Sequence, residues 1–454
     1  MTGQADVTRH RGTDALIGLV TILLLFSTVQ SLGPERSTVT SATGLDPLAV
    51  FKMGVRLLAM GTAWYLWRRS PGTLRASLTA PTVWFLAFFG LAALTAFVSA
   101  NPFVSASRAV SFAIVLAFAT AAAATYVRQG REAVYWRGLC LLLLLTTAPL
   151  FAAVLWRGRV IESYDTVARL GGVLQPNQLG AVAGIVLLVC LINLRRQRLV
   201  LLSLAMLPTA GYIAALTLSR GAWIAIAAGL LAAWLSVRPL RVWTVPGLGL
   251  LVAIVWLGVA TGVVDPDRGI AAAAQRGQSR TELLSGTGRT GLYTYMLERQ
   301  FPQRPFFGFG FQMLSDEDVA GDPKPFETAI ARALGWPAEQ GHNLFLSTLI
   351  GTGLIGLTLF VIALGSLLRQ VGGAAWSGDP IATDQLILVA LILTHAMLDT
   401  TLVTGVDHAF ILVAAVAGLA SARRMALAQR VADRSTARGP LVRTLASPQP
   451  SGGL

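Results

Sequence analysis

The chain has 454 residues, of which 54% are hydrophobic and only 13% are charged. Its mean hydropathy is +0.64, and soluble proteins carry about 25% charged residues. This composition excludes an ordinary soluble domain and indicates a polytopic membrane protein. The two cysteines, Cys140 and Cys190, both lie in apolar runs, so we expect buried thiols and no disulfide framework.

Apolar runs of spanning length recur along the chain. A transmembrane helix needs about 20 mainly apolar residues, and the sequence predicts an all-α polytopic membrane protein with about 12 such helices. The first run lacks a convincing signal-cleavage site, so we interpret it as a span. The runs lie at residues 14–32, 48–67, 81–99, 107–127, 138–156, 177–194, 199–218, 221–237, 244–264, 343–368, 381–402 and 406–422.

The spans divide the chain into four parts. Residues 1–264 contain the first nine helices, and residues 343–422 contain the last three. Between them, residues 265–342 form a long polar segment, for which we predict a helical loop outside the cytoplasm. Residues 423–454 form a basic tail rich in Arg, Ala, Ser and Pro, which we expect to be disordered and cytoplasmic.

Charge fixes the predicted orientation. With a cytoplasmic N-terminus, the 36 basic residues divide into 20 cytoplasmic and 16 non-cytoplasmic, and the 22 acidic residues into 6 and 16. The whole formal net charge of +14 then lies on the cytoplasmic side, as the positive-inside rule requires. A soluble protein with this net charge would suggest a nucleic-acid partner. Here the positive-inside rule accounts for the charge, so no nucleic-acid partner is needed. Both termini are predicted to be cytoplasmic.

The long polar segment is the natural place for chemistry in a chain made mostly of hydrocarbon-compatible helices. Helical spacing places Leu292, Met296 and Arg299 on one face of a short amphipathic helix. A second amphipathic helix is predicted around residues 326–334. Such helices would lie along the outer membrane surface and cap the bundle.

Three polar side chains at this surface are candidates for chemistry. His342 stands at the mouth of a span, where a neutral imidazole accepts a proton near pH 7. Arg220 lies in a very short hairpin between two spans, where a guanidinium can grip a phosphate through two hydrogen bonds. Arg289 begins the first amphipathic helix. Each has a plainer interpretation: a helix-start histidine, a snorkelling arginine and an exposed charge.

Other patterns are weaker. Residues 351–356 match G-x-G-x-x-G, but they lie inside an apolar span with no preceding strand, so close helix packing explains them better than a dinucleotide. Acidic turns at residues 265–267 and 316–318 lack calcium-loop spacing. His395 with Asp399, and Asp407 with His408, suggest either a proton relay or a structural network, and we favour the network.

Taken together, several elements resemble the O-antigen ligase and O-antigen polymerase family of bacterial surface-polysaccharide enzymes. The resemblance covers roughly residues 170–356, and it rests on the order, spacing and shared side of the motifs rather than on any single one. The matching elements are Pro176-Asn177-Gln178-Leu179-Gly180, Ser219-Arg220-Gly221-Ala222-Trp223, Arg289, Arg304-Pro305-Phe306-Phe307-Gly308-Phe309-Gly310, and His342-Asn343-Leu344-Phe345-Leu346 followed by Gly353 and Gly356. One departure is Phe311-Gln312, where the family often has a small residue or Pro.

The resemblance implies a metal-independent, cofactor-free, inverting glycosyl transfer at the periplasmic face of the bacterial inner membrane. The donor would be a glycan on undecaprenyl pyrophosphate, and the acceptor would be lipid A–core oligosaccharide. Arg220 and Arg289 would bind the pyrophosphate, and His342 would activate the acceptor hydroxyl. Asn343, Arg169 and Asn177 are further candidate substrate contacts.

Three other functions also fit parts of the sequence. A polymerase of the same family uses the same kind of donor and differs chiefly in its acceptor. A polysaccharide-lipid transporter would favour internal repeats and charges near mid-membrane, and neither is evident in the sequence. A metal-dependent lipid-phosphosugar transferase would need an acidic pair in an early outer loop, where Glu35 and Asp46 are widely separated.

Overall fold

The computed structural model describes residues 2–28, 47–157, 160–162, 168–171, 174–236, 289–313, 342–399, 402 and 406–438. The predicted span at residues 244–264, the second amphipathic helix and both acidic turns lie outside these residues. The helices are α1 (Thr2–Ser27), α2 (Pro47–Arg69), α3 (Pro71–Ser77), α4 (Thr82–Leu94), α5 (Pro102–Arg128), α6 (Glu132–Arg157), α7 (Pro176–Arg195), α8 (Val200–Leu216), α9 (Arg220–Leu235), α10 (Arg289–Tyr295), α11 (Leu344–Trp376), α12 (Pro380–Leu398) and α13 (His408–Arg438).

Several of these helices suit a membrane. Within the described part of the chain, α5, α6, α7, α11, α12 and α13 are long and apolar enough to span it. Three shorter apolar helices accompany them: α8, α9, and α4 together with the 3-10 turn that follows it. The expectation of a helical membrane protein is confirmed, and the total of about 12 spans stays a prediction.

Two local features differ from the sequence expectation. A small antiparallel hairpin pairs β1 (Val160–Glu162) with β2 (Ala168–Leu170) in the loop before α7. The basic tail was expected to be disordered from residue 423, but α13 continues as helix to Arg438. This extension is rich in Ala and Arg, which are strong helix formers.

The core is apolar and contains a cluster of aromatic rings. Phe311, from the segment after α10, enters this cluster and is buried. Its ring meets Phe112 edge-on at a centroid distance of 5.5 Å, and Phe88 and Phe89 at 6.0 and 6.1 Å. Edge-to-face pairs of this kind stabilise by about 0.5–1.5 kcal/mol beyond burial. Phe311, which stands where the resembled family often has a small residue or Pro, therefore anchors the polar segment in the core.

The segment before Phe311 enters a break in α11. Gly353 has φ 69° and ψ −172°, so the helix is interrupted there. Backbone bonds cross the break: Phe309 N donates to Ile350 O at 2.9 Å, and Leu354 N donates to Pro305 O at 2.8 Å. The glycines in this stretch of α11 thus admit a polar backbone loop, where the sequence suggested close packing of another helix.

Replacing Gly353 by Ala should lower the thermal unfolding midpoint of the purified protein. A Cβ there would lie 2.1 Å from the carbonyl carbon of Phe306, and a left-handed non-glycine backbone adds about 1–3 kcal/mol of strain. Gly365→Ala in the same helix is the control, because nothing lies within 4 Å of its added Cβ. Equal midpoints for the two variants would contradict this account.

Candidate active site

The C-terminal end of α12 collects polar side chains from two distant segments. Arg289 Nη1 donates to Leu398 O at 2.7 Å, and Asn343 Nδ2 donates to Met397 O at 3.0 Å. The last four carbonyl groups of a helix have no partner within it, and cations are favoured at this end of the helix dipole. The end of α12 therefore positions the start of α10 and the start of α11 together.

His342 precedes α11 in a constrained conformation. Its φ of 47° lies in the left-handed region, and Tyr293 Oη donates to its carbonyl oxygen at 2.9 Å. Asn343 then caps α11 by accepting from Leu346 N at 3.0 Å. The imidazole Nδ1 lies 3.7 Å from Asp399 Oδ1. Backbone contacts on both sides of His342 thus hold its ring beside a carboxylate.

Sequence reasoning missed Tyr293, and it did not place Asp399 beside His342. The pKa of Tyr293 is raised, mainly because the phenol is partly buried; the charge of Asp399 adds to this effect and that of Arg289 opposes it. The phenol therefore stays protonated and donates a hydrogen bond at neutral pH. Tyr293 lies one helical turn after Arg289, a spacing that could have drawn attention to it. Asp399 was assigned to a structural network, and its approach to His342 depends on the tertiary fold.

Arg220 opens α9 close to the same end of α12. Ser219 caps this helix by accepting from Ala222 N at 3.3 Å. Next to Arg220, a Cβ added at Gly221 would lie 3.5 Å from Leu398 Cβ. The Arg220 side chain is half-exposed. The three predicted site residues, Arg220, Arg289 and His342, are therefore brought by separate segments to one end of α12.

Arg169 and Asn177 have partners within the protein. Arg169 is buried and donates to Thr217 O at 2.9 Å and to Asn177 Oδ1 at 2.8 Å. Ser219 Oγ donates to the same Asn177 oxygen at 3.1 Å. These bonds tie β2 and the start of α7 to the α8–α9 hairpin that carries Arg220. Their contact with substrate stays a prediction.

The other histidines near helix ends take part in interhelical contacts. His395 is buried and hydrogen-bonds the backbone of Asn177, which links α12 to α7. His408 Nδ1 lies 3.0 Å from Thr28 Oγ1, which links α13 to α1. Asp407 caps α13 by accepting from Phe410 N at 2.7 Å. The structural interpretation of this set fits His408 and Asp407, whereas Asp399 also faces the candidate site.

Two further features bear on what the site could hold. Among the described residues, no group of three or more His, Cys, Asp or Glu side chains could hold a metal ion, and metal independence stays a prediction. A cleft of about 580 Å³ lies between residues 97–100 and residues 304–308. It is lined mainly by apolar side chains and contains none of the three predicted site residues.

Comparison with known families bears on this arrangement. Residues 205–361 match the family model Wzy_C, described as O-antigen ligase. The match confirms the predicted family resemblance. It includes Arg220, Arg289, His342 and Asn343 but neither Arg169 nor Asn177. No curated protein matches the chain. The match over residues 205–361 supports a membrane enzyme of the O-antigen ligase and polymerase type.

Replacing Asn177 by Ala should destabilise the protein by about 1–3 kcal/mol, because the buried Arg169 and Ser219 would lose their shared acceptor. The measurement is the free energy of unfolding of the purified protein in detergent. Gln178→Ala is the matched control, since its amide is half-exposed and makes no hydrogen bond with the described residues. Equal losses in the two variants would contradict the proposed tie.

Proposed function

We propose that this protein is an O-antigen ligase, which transfers a glycan from undecaprenyl pyrophosphate to lipid A–core oligosaccharide. The transfer takes place at the periplasmic face of the bacterial inner membrane, with both termini in the cytoplasm. The observation that carries the proposal is the convergence of Arg220, Arg289 and His342 on the C-terminal end of α12, within a stretch that matches the O-antigen ligase family.

Arg220 and Arg289 bind the pyrophosphate of the donor. When the glycosidic bond to phosphate breaks, negative charge grows on the phosphate oxygens, and fixed guanidinium groups stabilise it without a metal ion. Arg289 donates one of its five N–H groups to Leu398 O. This bond fixes the direction of the other four N–H groups of the guanidinium. Arg220 lies in the first turn of α9, where the helix dipole also favours an anion.

His342 removes the proton from the acceptor hydroxyl. With Nδ1 directed at Asp399, Nε2 is the nitrogen that accepts this proton. The hydroxyl oxygen then forms a bond with the anomeric carbon on the face opposite the pyrophosphate, which leaves with the electron pair of the broken bond. A positioned base contributes about 10²–10⁴-fold to such a step. Asp399 and Tyr293 are positioning residues, since they act through His342.

The two substrates approach from different media. The undecaprenyl chain lies along lipid-facing spans, which present exposed apolar side chains such as Ile224 and Trp234 on α9. The glycan and the core oligosaccharide lie outside the membrane, above the end of α12. A polymerase of the same family is the second candidate, because its donor is identical in kind and the family match fits both. A transporter is ranked lower, since Arg220, Arg289 and His342 gather at one end of the bundle.

Replacing His342, Arg220 or Arg289 by Ala should abolish ligation in a strain whose own gene is deleted. The measurement is the lipopolysaccharide ladder on a gel, together with the undecaprenyl-linked glycan pool. A ligase predicts that O-antigen disappears from lipid A–core while long polymer accumulates on undecaprenyl pyrophosphate. Arg299→Ala is the control, because this arginine is exposed on the same short segment as Arg289.

Other outcomes of this experiment separate the alternatives. A single repeat unit still attached to the core would assign the protein to the polymerases. An unchanged ladder in all three variants would rule out this site and favour the transporter. Loss of the ladder in Arg299→Ala as well would mean that the segment is simply disrupted, and the roles of Arg289 and its neighbours would have to be withdrawn.

Replacing Asp399 by Asn should lower kcat by about 10²-fold and leave the KM for the lipid-linked donor nearly unchanged. The carboxylate orients the imidazole but does not touch the pyrophosphate. Steady-state kinetics of the purified protein in liposomes measure both constants, and Asp399→Glu should restore part of kcat. A rise in donor KM with unchanged kcat would place Asp399 in donor binding instead.

A further inference from the structure

The end of the bundle away from His342 contains Arg198, whose side chain has no hydrogen-bond or ion-pair partner among the described residues. α7 begins beside the candidate site and ends at Arg195, and a short turn then leads to α8. In this turn, Arg198 N donates to Asn193 O at 2.8 Å. The half-buried Arg198 guanidinium forms no hydrogen bond or ion pair with the described residues. Its neighbour Arg196 pairs with Asp384 Oδ1 at 3.1 Å.

Two buried N–H donors nearby also lack an acceptor. Asn193 is 4% exposed and Trp136 is 1% exposed. Neither Asn193 Nδ2 nor Trp136 Nε1 has a hydrogen-bond partner in the part of the chain that the structure describes. Buried polar atoms without a partner are rare and cost free energy. Among the described residues, two N–H donors without acceptors and a guanidinium without a partner thus occur at one end of the bundle, and such groups suit an anion.

Asn193, Arg198 and the start of α6 lie at the same end of the bundle, next to the turn before α8. Trp136 lies one helical turn before Cys140 on α6, on the same face. Cys140 interacts electrostatically with both Arg198 and Asp384. Arg137 follows Trp136 directly, and its positive charge interacts electrostatically with Arg198. Partial burial and the positive charges of Arg137 and Arg196 lower the pKa of Arg198, with Asp384 opposing them. Positive charge exceeds negative charge here.

The general preference for basic residues in cytoplasmic loops does not explain the whole set. That preference accounts for exposed arginines at span ends, such as Arg195 and Arg137. It does not account for the buried amide and indole donors at the same end of the bundle. The surface beside the turn is strongly apolar, because Leu201 and Leu204 on α8 are 85% and 53% exposed. A ligand here meets cationic donors at one end and hydrocarbon-compatible surface at the other.

We infer that this site binds the phosphate group of an anionic membrane lipid. Arg198, with the N–H groups of Asn193 and Trp136 behind it, receives the phosphate, and the acyl chains lie along α8. Because α12 begins beside Arg196 and ends beside His342, the lipid sits at the opposite end of the same helix from the transfer chemistry. The inference is independent of the proposed transferase function.

The test is lipid binding to the purified full chain in a neutral detergent. Phosphatidylglycerol should raise the thermal unfolding midpoint, and phosphatidylcholine with the same acyl chains should not. Native mass spectrometry should show at least about tenfold weaker phosphatidylglycerol binding by Arg198→Gln. Arg75→Gln should bind like the original protein. It removes the same charge from an exposed arginine on α3, far from this site in the chain.

Three results would overturn the inference. Equal stabilisation by both lipids would show that charge is not recognised. Equal loss of binding in Arg75→Gln and Arg198→Gln would show a diffuse charge effect. Inorganic phosphate that binds as tightly as phosphatidylglycerol would show a free-anion site, with no role for the apolar surface. If Arg198→Gln does not fold, Arg198→Lys replaces it, and its phosphatidylglycerol affinity should fall while phosphatidylcholine affinity does not change.

Discussion

The last carbonyl groups of α12 are the constraint on which the candidate site depends. A helix that ends inside a bundle leaves carbonyl oxygens without partners, and here Arg289 and Asn343 supply the donors for two of them. Neither residue is close to α12 in sequence. Both polar segments must therefore return to this point, and His342 comes with Asn343. The same end carries Asp399, so the helix terminus gathers two side chains and contributes a third.

The break in α11 provides a second support for His342. The loop before Phe311 passes between the halves of α11 and bonds to both through backbone groups. Gly308, Gly310 and Gly353 all have positive φ there, and each approaches another backbone or side chain closely. Phe311 then fixes the loop in the aromatic core. The first half of α11, which begins next to His342, is thus held at both of its ends.

Much of this arrangement could be predicted from the sequence, because hydropathy and charge report directly on the membrane. Arg220, Arg289 and His342 were chosen as candidates from their positions at span ends and in the polar segment, and the resemblance implied that they serve one reaction. Arg299 was placed on one helix face with Leu292 and Met296, but these two are buried together with Gln300, whereas Arg299 is exposed. The reason is the π turn over Met296–Gln300, which has more residues per turn than an α-helix and so shifts the helical phase by one residue.

Contacts between distant parts of the chain could not be predicted in this way. The pairing of His342 with Asp399 and the shared acceptor of Arg169 and Ser219 depend on tertiary packing, which single-sequence periodicity does not encode.

The most direct test of the account uses purified protein in liposomes with an undecaprenyl-pyrophosphate-linked glycan, lipid A–core and a strong chelator. The account predicts glycosylated lipid A–core and undecaprenyl pyrophosphate in equal amounts, with none from Arg289→Ala. No product with both substrates present, or product that disappears on chelation, would contradict it.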